Sequence, residues 1–450
     1  SLAACTLLSF SPNHLVFEDC YGIEMYTTLC ETTEHLEILN VGAMVLASVA
    51  PTASGRWEAQ AEGRTLHFEK TAGLRALVRC EKWVFSNSSS PHWLHQAIWP
   101  FEKEHLNAHN VSLGAELAMV EMLMSGITTF SDMYFFPETV ASVAERLGLN
   151  IQLAVPIISL DTRWARGSEE CIHRALALHD LYRDHQNVSV SFGPHSVEAL
   201  DLETLEKIGM YADELDIGIQ IHLQETSGEL DRALKNHGHS FVVLLKKIGL
   251  MNERLQVVHA VHLTSEDKAM LAETNANVIH CPSSNLLLGS GICPTKDLLE
   301  LGVNVALGTD GSASNNGIDL LSEAALAESL IKGIAQDASL YRASDALGMA
   351  TINGARALGL ERRIGSLEVG KDADFVALDT RHPAIEPMID PFRSIISNSG
   401  ARCISHVYAK GKPLVENGIC VNTDLADLMK KAADWRASKA FREISERAYY

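Results

Sequence analysis

Positive charge is in short supply in this chain. Its 450 residues include 37 lysines and arginines against 57 aspartates and glutamates, a net charge of -20. A surface that negative repels phosphate backbones and anionic lipid, so nucleic acid and membranes are not expected partners. No uninterrupted apolar stretch reaches the roughly 18 to 20 residues that a bilayer span needs. The opening SLAACTLLSFSP has a short apolar run but no basic n-region, so the expectation is a cytoplasmic protein rather than an exported one. Nine cysteines occur without CxxC or paired spacing, which fits reduced thiols better than a disulfide framework. A GxGxxG turn is missing as well, and with it the sign of a dinucleotide-binding sheet. What is present is a globular balance, 46% apolar and 21% charged, in a chain long enough for a large α/β domain with an accessory one.

From about Ser112 onward, helical patterns alternate with short β-branched runs, as in a parallel sheet wrapped by helices. Seven strands are predicted: ITTFSDM (127–133), NIQLAVPI (150–157), VSVSFGP (188–194), IGIQIHL (217–223), LQVVHAV (255–261), ANVIHCP (276–282) and VNVALGTD (303–310). Between them lie segments such as LGAELAMVEMLMSG, apolar at helical spacing, with Gly126 where a C-cap belongs. Seven units come one short of a (β/α)8 barrel, and a doubly wound sheet is the competing architecture. The polar residues favour the barrel, whose chemistry collects at the C-terminal strand ends. His195, His222, His259, His280 and Asp310 all fall at or just past such ends.

The predicted fold class is therefore α/β, a (β/α)8 TIM-type barrel with a small β-sandwich formed from the chain ends. An atypical part of the sandwich is expected over residues 1–66, the barrel over 67–362 and the rest of the sandwich over 363–421. In that last segment, IGSLEVGKDADFVALD and CISHVYAKGKPLVENG read as short strands. A charged helical tail is expected over 422–450.

In IHLQET, His222 closes a strand and Glu225 follows three residues later, which lets an imidazole and a carboxylate share one space at the barrel mouth. Alone, such a histidine is more often structural. VVHAVH adds His259 and ALGTDGSASNN adds Asp310, each ending a later strand. Histidines and an aspartate converging from separate strands make a nitrogen and oxygen ligand set suited to zinc or a similar divalent ion with a coordinated water. His280, Asp132 and the cysteines are read as structural.

These stretches, with IWPFE, SDMYFFPE, SFGPHS, VIHCPSSNLLLGSGICP, ATINGARALGL and IGSLEVGKDADFVALD, give the chain from about Trp93 to Gly418 a resemblance to the amidohydrolase superfamily, in its 5-methylthioadenosine/S-adenosylhomocysteine deaminase branch. The resemblance implies hydrolytic deamination of an adenosine thioether to the inosine analogue plus ammonia. It implies one divalent metal ion, zinc with manganese or iron as alternatives, and a small-molecule purine nucleoside as substrate. Homo-oligomers are common among such barrels, and one is expected here by that analogy. His222 and Asp310 match the family's metal ligands. His259 matches the histidine that orients the attacking hydroxide, and Glu225 the acid that shuttles a proton to the purine ring. Glu102, in IWPFE, matches the carboxylate on the ribose hydroxyls, and His195, in FGPHS, a further substrate contact. The arginines near 163–166 could meet a homocysteine carboxylate.

One departure stands out. The family carries a His-x-His pair on the first barrel strand, about twenty residues before the Trp-Leu that precedes IWP. The corresponding stretch here, TAGLRAL, has no histidine, and His67 in LHFEK has no partner two residues away. Two readings therefore compete with the deaminase: a non-catalytic or impaired relative that keeps the scaffold, and an aminohydrolase or chlorohydrolase acting on a triazine or another purine. The resemblance also begins abruptly at about Trp93, which predicts that part of residues 1–92 is out of frame relative to the ancestral gene. The coding DNA read in the other two frames tests this.

Overall fold

In the computed structural model the chain divides into two compact units, residues 1–78 with 432–438 and residues 79–431 with 439–450. The structure describes the backbone of seven strands between residues 6 and 69 and, with side chains, residues 99–315, 317–397 and 400–438, apart from the Phe101 and Ser397 side chains.

The first unit is an antiparallel meander: β1 (Thr6–Ser11), β2 (His14–Glu18), β3 (Glu24–Glu31), β4 (Leu36–Asn40), β5 (Val45–Pro51), β6 (Arg56–Ala61) and β7 (Arg64–Glu69), paired in chain order. Antiparallel neighbours need only short links. Parallel strands instead require a helical crossover, which is the signal that made the later sheet visible in the sequence.

The second unit is built on seven parallel strands, β8 (Thr129–Asp132), β9 (Asn150–Ile157), β10 (Val188–Pro194), β11 (Ile219–Leu223), β12 (Leu255–His259), β13 (Asn277–His280) and β14 (Val305–Leu307). Each lies inside one of the predicted runs, and each pairs with the next in sequence. Both β9 and β12 are buried along their whole length, as expected for a parallel sheet covered on both faces. The fully buried Leu153, Phe192, Ile221 and Leu223 come from three adjacent strands and form the middle of the core. Parallel strands paired in constant sequence order are the arrangement of the predicted TIM-type barrel. Among the described residues the sheet has edges at β8 and β14. Residues 70–98, where the expected first strand would fall, lie outside them.

Local signals set the element ends. The helix Ala108–Met124 stops at Gly126, whose φ of 82° allows its N–H to reach Leu123 O while Ile127 N–H reaches Met122 O; this is a Schellman-type ending that favours glycine. The C-terminal sheet has four antiparallel strands, β15 (Phe375–Leu378), β16 (Ile404–Ala409), β17 (Lys412–Glu416) and β18 (Ile419–Cys420). The predicted run IGSLEVGKDADFVALD supplies only the Phe375–Leu378 strand. Gly365 and Gly370 at φ of 91° and 99° break the extended conformation before it, and Leu367 and Val369 face solvent. The expected tail contains the helix Leu425–Arg436. Among the described residues no helix is long and apolar enough to cross a membrane.

Candidate active site

The C-terminal ends of the parallel strands deliver one cluster of imidazoles and carboxylates. Pro194 ends β10 and His195 follows it; His222 lies in β11; His259 is the last residue of β12. The ring centroids of His195 and His222 are 4.9 Å apart and those of His222 and His259 are 5.5 Å apart. Strand β10 approaches its neighbour so closely at Gly193 that a Cβ there would sit 2.6 Å from Ala154 O. Only a residue without a side chain lets β10 carry His195 to this depth.

Several non-glycine residues here hold left-handed backbone: Gln224 at φ 50°, His259 at 73°, Ala260 at 49° and Asp310 at 59°. Such strain costs of order 1 kcal/mol per residue and gathers where structure serves a site. It turns the chain sharply at the strand ends, so that side chains from β11, β12 and the loop after β14 converge.

Hydrogen bonds then fix what each ring can do. His222 Nδ1 lies 2.7 Å from His195 O; a carbonyl can only accept, so Nδ1 carries the proton and Nε2 keeps its lone pair. His259 Nδ1 donates in the same way to Asn285 Oδ1 at 2.8 Å. Its bare Nε2 lies 3.9 Å from Glu225 Oε2 and 4.0 Å from Asp310 Oδ2. Burial, reinforced by neighbouring imidazoles, holds His222 below its ordinary pKa and brings His195 to about 3. Both rings are neutral at physiological pH.

The carboxylates are held from behind. Asp310 Oδ2 accepts from Ser284 Oγ at 2.6 Å, and Glu225 Oε1 accepts from Ser290 Oγ at 2.7 Å. The N–H groups of Gln224 and Glu225 donate to the buried Glu229 at 3.0 and 2.9 Å, which anchors the turn that presents Glu225. Glu102, on the helix Trp99–His105, accepts from the Tyr134 hydroxyl at 2.8 Å, and burial raises its pKa to about 7.

The structure thus brings His195, His222, Glu225, His259 and Asp310 together. It ties Glu102 to Tyr134, two residues beyond the end of β8 and so on the same side of the sheet. Arg163 donates through Nε to Leu106 O at 3.3 Å, which engages part of its guanidinium with the backbone. Asp132 and His280, structural in the sequence reading, have Oδ2 and Nδ1 buried without a hydrogen-bond partner among the described residues. Burial moves their pKa values to about 6 and about 3. Sequence reasoning missed Ser284, Asn285, Ser290 and Tyr134. Three of them stand in VIHCPSSNLLLGSGICP and one in SDMYFFPE, motifs noted for their likeness and not for what their hydroxyls and amides do.

A metal ion finds a partial fit. Among the described residues no group of three His, Cys, Asp or Glu side chains is arranged to hold one. His222 nevertheless shows the arrangement of a ligand, its far nitrogen held by a carbonyl and its near nitrogen bare, and Asp310 supplies a hard oxygen.

Comparison with known proteins identifies the family to which the fold belongs. The family model described as Amidohydrolase family matches residues 66–414. A 5-methylthioadenosine/S-adenosylhomocysteine deaminase of Teredinibacter turnerae is 42% identical over 76% of this chain and 78% of its own length. One of the same name from Aquifex aeolicus is 35% identical over 76% and 80%. Among solved structures, an adenosine deaminase from Xanthomonas campestris with bound zinc superposes with a TM-score of 0.78 at 33% identity, covering 87% of this chain and 94% of that one. The atrazine chlorohydrolase of Arthrobacter aurescens complexed with zinc shares the fold, with a TM-score of 0.73 at 21% identity over 92% and 96% of the two chains.

Proposed function

Because this chain belongs to the amidohydrolase family, we propose that it is a divalent-metal-dependent aminohydrolase that converts 5-methylthioadenosine or S-adenosylhomocysteine to the inosine analogue and ammonia. The observation that carries this reading is the placement of His259 Nε2, bare and buried, 3.9 Å from Glu225 and 4.0 Å from Asp310, beside a second bare nitrogen on His222. Replacing the C6 amino group of an adenine by oxygen requires a nucleophilic water, a base to take its proton and an acid to protonate the ring.

His222 Nε2 and Asp310 would hold the ion, zinc by preference and otherwise manganese or iron. When bound, such an ion supplies Lewis acidity that makes water a nucleophile near neutral pH. The remaining work falls to the chain. Asp310 accepts the water proton, with Ser284 fixing its orientation. Glu225 carries a proton on Oε2 to the purine ring nitrogen, with Oε1 engaged by Ser290. His259 keeps Nε2 as an acceptor toward the water because Asn285 occupies Nδ1. His195 supplies a further contact to the substrate. Glu102 accepts from the ribose hydroxyls, a task that a triazine substrate does not offer; this favours a nucleoside over the chlorohydrolase reading.

The test is ammonia release, or the absorbance change from adenine to hypoxanthine, with either thioether and with zinc or manganese in excess. A kcat that falls by several orders of magnitude in Glu225→Gln, to a small residual rate, supports the assignment. Nucleoside binding without turnover in the parent protein supports the non-catalytic reading instead, which the absence of a His-x-His pair from residues 1–92 favours.

A further inference from the structure

Glu225 belongs to a closed circuit of bonds that runs through residues with no direct part in the chemistry. Its Oε1 accepts from Ser290 Oγ at 2.7 Å. The carbonyl of the same serine lies 2.7 Å from His262 Nε2, and as an acceptor it requires that nitrogen to carry the proton. The His262 backbone N–H donates to Gln224 O at 3.0 Å, and Gln224 Nε2 donates to His262 O. Gln224 is the residue before Glu225, so the circuit closes.

The loop is built to admit this serine. Ser290 is 6% exposed and stands between Gly289 at φ 70° and Gly291 at φ 122°, conformations that strain any other residue. A Cβ on Gly291 would come within 3.0 Å of Val261 Cγ1 and 3.6 Å of His262 Nε2. The chain therefore passes flat against the His262 ring, and the serine side chain turns inward to Glu225.

We infer that Ser290 is the positioning residue for proton transfer by Glu225. Its single hydroxyl proton is committed to Oε1, which makes that oxygen an acceptor and leaves Oε2, the oxygen turned toward His259, as the one that carries the proton. Ser290 thereby selects both the rotamer of Glu225 and the oxygen that works. A carboxylate freed from that bond divides its time among rotamers and offers either oxygen. The loss falls on the chemical step, because proximity and orientation are properties of the transition state.

The inference rests on the deaminase reading, and two measurements keep the fates of the two ideas apart. The first is kinetic. Ser290→Ala is expected to lower kcat about tenfold to a hundredfold, a fraction of what a general acid contributes, with KM within about twofold of the parent and an unchanged melting temperature. Ser290→Thr, which keeps the hydroxyl, should recover most of the rate. Introduced into Glu225→Gln, Ser290→Ala should have no further effect, since it acts through the group already removed. The second measurement is the crystal structure of Ser290→Ala, in which the Glu225 carboxylate is expected to leave its place beside His259 or to occupy several rotamers. An unmoved Glu225, or an equal loss of rate in the Glu225→Gln background, overturns the inference. If the parent deaminates neither thioether, the functional reading fails, and the position of Glu225 in the alanine variant still decides the role of Ser290.

Discussion

Two half-buried carboxyl groups link this molecule to pH, and they do so in different ways. Glu102 titrates at about 7 because burial penalises its charged form, only partly offset by the Tyr134 hydrogen bond. It is protonated on the acid side and accepts fully from a diol on the alkaline side. KM for the nucleoside is therefore expected to fall as pH rises from 6 to 8 while kcat changes little, and Glu102→Gln should show a raised KM that no longer follows pH. Steady-state kinetics across that window checks it; equal KM values in parent and variant would remove Glu102 from the pocket. Asp132 is the second case, with a pKa raised from 3.8 to about 6 by burial and one oxygen without a partner among the described residues. Its folded pKa lies above the unfolded value, so its contribution favours folding below about pH 4 and is lost as pH rises through 6. A shift of about two units at 1.36 kcal/mol each corresponds to about 3 kcal/mol. Asp132→Asn removes the charge, and its melting temperature should exceed the parent's at pH 8 and match it near pH 4. A constant difference at both pH values would exclude the titration.

At the scale of elements, the approach of β10 to β9 is set by Gly193. The three atoms nearest to a Cβ there are all β9 backbone, Ala154 O at 2.6 Å, Ala154 C at 2.9 Å and Val155 O at 2.9 Å, so the strands themselves must move apart. Gly193→Ala is expected to destabilise by about 1–3 kcal/mol or more and to displace His195, two residues on. Gly209, in the helix Leu202–Leu215, is the contrasting position. A Cβ there meets the end of a side chain, Leu250 Cδ2 at 2.6 Å, and alanine is also the better helix former. Gly209→Ala should therefore cost much less than Gly193→Ala. Denaturant midpoints for the two variants measure the contrast, and a larger loss at Gly209 would show that β10 has room to shift.

For the whole molecule, the proposed ion and the fold are linked by mass action, since anything bound by the native state alone stabilises it in proportion to the logarithm of its concentration. As the proposed ligands, His222 and Asp310 would supply only two of the three or four protein ligands usual for zinc, and residues 1–92 contain no His-x-His pair. The melting temperature is therefore expected to keep rising with zinc added beyond one equivalent, and His222→Ala should abolish the rise. Stoichiometric zinc that survives dialysis against a mild chelator would show that other residues complete the shell. The acidic surface, net charge -20, favours approach of such cations at low ionic strength.

The alternation of helical periods with β-branched runs was enough to place all seven described parallel strands, because a buried parallel strand must be apolar along its length and must be followed by a crossover helix. The same reading located His195, His222, His259 and Asp310, since a barrel's strand ends are its mouth. It did not find the antiparallel strands of residues 6–69, whose pairing leaves no crossover to detect, and it extended a strand through Ile364–Val369 where glycines at positive φ interrupt one. The partners of the site residues were out of reach for another reason. Ser290 meets Glu225 across 65 positions of sequence and Asn285 meets His259 across 26. Residue type and spacing determined which groups could do chemistry here. Which nitrogen of His222 and of His259 stays bare, and which oxygen of Glu225 is engaged by Ser290, was decided by tertiary structure alone, because a hydrogen bond depends on where two loops meet and on nothing local to either.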